Sequence, residues 1–144
     1  MIVVDTNLLV YAHREDSEWH GRALSVLLDL ANGHQRWAIP WPCVHEFFAI
    51  VTHPKIYKRP SKPAEAIAAI EAWGESPSLE FLHESPSYWN RLVMMVQAGK
   101  VRGPLIHDAR IAAMCLDNGA TLLLSADRDF SRFAGVTLRN PLLD

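Results

Sequence analysis

The chain has 144 residues, 49% of them hydrophobic and 21% charged, with a formal net charge of −2. That length fits one domain, 1–144, with a core of reasonable size, and the balance is that of an ordinary folded domain. The charge argues against strong nonspecific attraction to nucleic acid, and no apolar run approaches the ~20 residues of a membrane span.

In chain order, Ile2, Val3 and Val4 form a β-branched run that reads as a buried strand. Asp5, Thr6 and Asn7 make a turn, after which Leu8 to Ala12 is apolar again. A helix from about Glu18 to Ala31 carries Trp19, Ala23, Leu27 and Leu30 on one side and stops at Asn32 and Gly33. Trp37, Ala38 and Ile39 read as a strand, and Pro42 suits the first turn of a helix running to Val51. A helix over Pro63–Trp73 turns Ala66, Ile67 and Ile70 toward a core. Leu79–Leu82 is a strand, and a helix between Pro86 and Ala98 presents Tyr88, Leu92, Met95 and Val96 to the core or to a dimer surface. The next helix starts near Leu105, after Gly103 and Pro104, and ends at Asn118 and Gly119. Thr121–Leu124 and Val136–Leu138 are the closing strands. The alternation, without linker or repeat, predicts an α/β fold: a parallel sheet with helices on both faces, joined by right-handed crossovers.

Four acids sit where these elements begin or end. Asp5 and Asp127 follow strands, Glu46 shares a helical stripe with Cys43, Phe47 and Ile50, and Asp108 shares one with Ile111, Ala112 and Cys115. Taken singly, Asp5 reads as a helix cap and Asp108 as a first-turn acid favoured by the helix dipole. Together they predict carboxylates carried toward the interior at the strand ends where open α/β sheets bind ligands, and such charges need a cation. Hard oxygen donors favour Mg2+ or Mn2+, and metal with acids suggests phosphodiester hydrolysis.

These residues, in this order, make the chain resemble the PIN-domain family and, within it, the VapC ribonuclease toxins. The resemblance rests on Ile2 to Asn7 with Leu8 and Tyr11, on Glu46 in a Trp-Pro-x-x-x-Glu-Phe context, and on Val51 to Lys55. It rests further on His107, Asp108 and Ala109, and on Ser125 to Phe130. It implies a PIN-like three-layer α/β domain with the first and fourth strands adjacent at mid-sheet, and a Mg2+- or Mn2+-dependent endoribonuclease leaving 5′-phosphate and 3′-hydroxyl ends. Asp5 and Asp108 are expected to bind the principal ion, Asp127 to close the site, and Glu46 to bind a second ion or orient the attacking water. Thr6 and Ser125 would hydrogen-bond those waters, and Asn7 would support the site or shape the turn. Either acid of the Asp127/Asp129 pair approaches the metal in such proteins, with Asp127 favoured here and Asp129 its helper. The resemblance also implies a homodimer restrained by a VapB antitoxin, whose C-terminal segment fills the active-site groove.

Lys55, Lys58 and Arg59, with Tyr57 between them, form a basic segment suited to gripping phosphate and stacking an unpaired base, or else a solvated loop. Arg14, Arg22 and Arg128 are further cations expected near the mouth. None of the seven histidines forms a convincing cluster; His107 is expected to orient its helix start, and His45 to point to a different helix face from Glu46. Cys43 and Cys115 lie on apolar helix faces, as reduced thiols of a cytoplasmic protein would, without zinc-ligand spacing. The N terminus lacks a secretory pattern, since Asp5 interrupts its apolar start. Two other readings stand beside the ribonuclease. One is a noncatalytic PIN-like RNA-binding protein, disfavoured because all four acids are present. The other is a haloacid-dehalogenase-type phosphatase, disfavoured because Asn7 stands where a second Asp is required.

Overall fold

The computed structural model describes residues 1–144. Its strands are β1 (Ile2–Val4), β2 (Trp37–Pro40), β3 (Leu79–Leu82), β4 (Leu122–Leu124) and β5 (Leu138–Arg139). They form one parallel sheet in the order β3-β2-β1-β4-β5. The helices are α1 (Thr6–His13), α2 (His20–Asn32), α3 (Trp41–Val51), α4 (Pro63–Gly74), α5 (Tyr88–Ala98) and α6 (Ile106–Asp117). Helix α1 packs against both α2 and α3, and α3 against α4, while α5 and α6 pair separately, so the sheet is the middle layer of an α/β sandwich.

The strand order places β1 and β4 side by side at the centre, in register Ile2↔Leu122, Val3↔Leu123 and Val4↔Leu124. Their next residues, Asp5 and Ser125, therefore leave the sheet together at its carboxyl edge. This is also where the chain order reverses, because β2 lies on one side of β1 and β4 on the other. A helix that feeds a parallel strand runs antiparallel to it, so α6 starts at the same edge and brings Asp108 there in its first turn.

Val3, Val4, Ile39 and Leu123 are fully buried in the strands, beneath Leu8, Leu9, Phe47 and Ala112. Trp37, also buried, donates its indole N–H to Ser76 Oγ at 3.2 Å, which satisfies the one polar atom that such a ring carries into a core.

Three expectations change. Helix α1 begins at Thr6, directly after Asp5, where the sequence suggests a turn. On α4, Ile67 is 47% exposed, because the packed stripe runs through Ala66, Ile70 and Trp73 and Ile67 lies about 100° round the helix from Ala66. The last strand is displaced to Leu138–Arg139, where Leu138 pairs with Leu123.

Candidate active site

At the carboxyl edge of the sheet lies a cavity of about 460 Å³ whose lining includes Asp5, Glu46, Asp108 and Asp127. The four acids singled out from the sequence thus open onto one space. Asp5 occupies the N-cap position of α1 yet makes no capping hydrogen bond. Its carboxylate is turned across the sheet instead. Oδ2 accepts from Ser125 Oγ at 2.7 Å and from Asn7 Nδ2 at 3.2 Å, and Oδ1 accepts a long contact from the Cys43 thiol at 3.6 Å.

Asn7 also donates to Ser125 Oγ at 3.1 Å and accepts the Ala126 N–H at 3.1 Å. Ser125 Oγ accepts the Asp127 N–H at 2.9 Å, and Asp127 Oδ1 accepts the Asp129 N–H at 2.8 Å. These bonds fold the chain after β4 back over the end of β1. Asn7 thus hydrogen-bonds both the Asp5 carboxylate and the loop after β4.

Asp108, Asp127 and Asp129 each offer a carboxylate oxygen, and the three atoms lie within 4.8 Å of one another. Little positive charge balances them. Burial, followed by the negative charges of Asp127, Asp5, Asp129 and Glu46, pushes the Asp108 carboxyl up to about 6. Burial also raises Asp5, against the lowering effect of its bond from Ser125. Crowded oxygen donors of this kind fit a small divalent cation, whose charge would remove the repulsion.

Glu46 is exposed at the cavity rim rather than interior, with Oε2 accepting Thr6 Oγ1 at 3.2 Å. Asp129 lies with Asp127, as expected of a helper, and joins Asp108 in one carboxylate group, whereas Asp5 and Glu46 stand outside it. His45 also lines the cavity; it lies about 100° round the helix from Glu46, on a different face, yet both reach one broad rim. His107 and Arg110 line it as well. Arg110 escaped the sequence reading because its placement depends on a distant partner, Glu84, which accepts from its Nε at 2.9 Å.

The basic segment does not reach the cavity. Lys55, Lys58 and Arg59 are exposed beyond the far end of α3, and none of them contributes to its lining. The Arg14 guanidinium already covers one face of Tyr57 at 3.9 Å and donates to the Arg59 carbonyl at 2.9 Å. Arg22 lies elsewhere, tying α2 to the C-terminal turn through the carbonyls of Leu142 and Asp144. Arg128 is exposed next to Asp127. Both cysteines are buried and free, as anticipated, but the Cys43 contact to Asp5 has no signature in the sequence.

The PIN domain model matches residues 2–136, and the chain belongs to the PIN-domain family. Within it the chain falls with the VapC ribonucleases. It is 34% identical over 142 residues to Ribonuclease VapC43 of Mycobacterium tuberculosis, covering 99% of this chain and 96% of that one. It is 30% identical to Ribonuclease VapC33 of the same organism, covering 99% of both. The fold is similar to the VapBC2 structure from Rickettsia felis bound to a promoter DNA fragment, with TM-score 0.70 and 21% identity over 97% of this chain and 98% of that one. It is also similar to M. tuberculosis VapC20, a sarcin-ricin-loop-cleaving toxin, with TM-score 0.67 and 19% identity over 95% and 99%.

Proposed function

We propose that this protein is a metal-dependent endoribonuclease of the VapC type, a one-domain cytoplasmic toxin acting on RNA. The observation that carries the reading is the group of Asp108, Asp127 and Asp129 beside Asp5, in a chain 34% identical to a VapC ribonuclease. Asp108, Asp127 and Asp5 would hold Mg2+ or Mn2+, with Asp129 completing the set. Bound there, such an ion lowers the pKa of a coordinated water and polarises a phosphoryl oxygen.

The remaining roles belong to the chain's own side chains. Ser125 and Asn7 hold Asp5 Oδ2, and the Cys43 thiol is a weak donor to Oδ1, which a cation can outcompete. Thr6 fixes Glu46 by Oε2 and leaves Oε1 to orient the attacking water and accept its proton. Arg110, His45 and His107 bring N–H donors to a cavity otherwise dominated by acids, where they can meet a phosphate. Lys55, Lys58, Arg59 and Arg128 serve as outlying contacts for longer RNA, acting through charge.

A VapB-type antitoxin is the proposed restraint. An arginine fork from its C-terminal segment would match the carboxylates that the cation otherwise neutralises. The homodimer is proposed through α5, whose Trp89 and Met94 are 65% and 69% exposed.

The test is cleavage of end-labelled RNA by the partner-free protein and by Asp108→Asn, with Mg2+ or Mn2+ and with a chelator. Cleavage by the parent alone, abolished by the chelator, is the expected result. Equal activity in the two proteins would reject the assignment, and RNA binding without cleavage would favour the noncatalytic reading.

A further inference from the structure

The Trp-Pro-x-x-x-Glu-Phe stretch is only partly explained by Glu46. Trp41 opens α3 and is 39% exposed, although an indole serving only the core would be covered as Trp37 is, at 1%. One neighbour of its ring is Phe81 of edge strand β3, with centroids 4.6 Å apart and planes inclined by 20°. The other is His45, one helical turn on, at 6.2 Å and 25°. His45 in turn lines the acid cavity. Three near-parallel rings therefore run in a row from the edge of the sheet to the rim of the acids.

Such a row suits one ligand chemistry. The chain carries a formal net charge of −2 and the cavity is lined by four acids, so away from a bound cation charge adds little to the grip on RNA. Stacking on a flat ring does not depend on net charge, and every nucleobase has a π face to offer. Phe81 backs Trp41 and α3 fixes its backbone, so little side-chain freedom is left to lose on binding.

We propose that Trp41 and His45 form a stacking subsite for an unpaired nucleobase next to the phosphate to be cut, with Phe81 as its support. The inference rests on the ribonuclease reading and deepens it. It selects RNA whose bases are splayed from a loop or single strand, because bases within a duplex are already stacked on one another.

The test first maps the cut that the parent makes, then measures binding of that RNA by Asp108→Asn protein, which leaves the strand intact. Trp41→Ala, Trp41→Phe and His45→Ala are added in turn, and each protein is offered the same RNA with an abasic nucleotide at either side of the cut. Stacking predicts a loss of about tenfold or more for Trp41→Ala, a smaller loss for His45→Ala, and recovery in Trp41→Phe. At one abasic position the Trp41→Ala change should cost nothing further. Equal losses on intact and abasic RNA would reduce Trp41 to an anchor between α3 and β3 and overturn the subsite alone. No cut by the parent with either metal would overturn the ribonuclease reading and the subsite with it.

Discussion

Around Asp5 the carboxylate is buried, 7% exposed, and braced by Ser125, Asn7 and Cys43. Across the same cavity, Asp108, Asp127 and Asp129 crowd together at the more open side, where Asp108 is raised to about 6. The first arrangement is held in place by neutral hydrogen bonds, which offset only part of the cost of burying its charge. The second leaves negative charge in excess, so its stability depends on something added from solution. A preorganised half sets position, and an uncompensated half sets affinity for a cation.

That contrast predicts a graded set of outcomes. Asp108→Asn should bring metal-dependent RNA cleavage to background. The same change should raise the thermal stability of the metal-free protein at neutral pH, because it removes like-charge repulsion; a lower Tm would deny that the open half is strained. Ser125→Ala should act in the opposite sense on stability, since it strips the shortest bond from a buried carboxylate, at about 1–3 kcal/mol. Its activity should fall about 10–100-fold, the usual effect of losing a residue that orients a metal ligand, and denaturant unfolding with parallel cleavage assays measures both.

The pH dependence follows from the sign of the Asp108 shift. Its value of about 6 when folded lies above the ordinary 3.8, so the folded state holds the extra proton between those limits. The contribution is present at low pH, is lost as pH rises through about 6, and leaves the metal-free protein less stable at neutral pH than near pH 4 to 5 as far as this group decides. Metal-dependent cleavage should also rise with pH as Asp108 ionises, with a midpoint below about 6 because a bound cation favours the carboxylate. The smallest change is expected for Cys43→Ala, which removes a weak thiol donor and a small buried volume; a modest loss of activity with a near-normal pH profile is the expected readout.

Much of this was legible in the chain. Strand β1 falls on Ile2–Val4 and β3 on Leu79–Leu82 as expected, because short apolar runs bounded by turn residues leave few alternatives. Asp5 and Asp127 were placed correctly at strand ends, since a parallel sheet brings all such ends to one edge. Features that depend on tertiary contact were not legible. Helical spacing puts Glu46 beside Phe47 but does not say that the stripe's border is open to solvent. The pairing of Arg110 with Glu84, the Cys43 contact to Asp5, and the distance of the Lys55–Arg59 segment from the acids all depend on how elements dock. Ile67 illustrates the same limit: an apolar residue flanking a packed stripe looks like core in the sequence and lies in solvent in the fold.

The most direct test of the claim that the open half is a cation site is thermal unfolding with and without Mn2+ or Mg2+, at pH 5 and pH 7.5, for the parent and Asp108→Asn. The account predicts a metal-induced rise in Tm for the parent at pH 7.5, smaller at pH 5 where protons compete for Asp108, and largely lost in Asp108→Asn. A rise of equal size in both proteins at both pH values would contradict it.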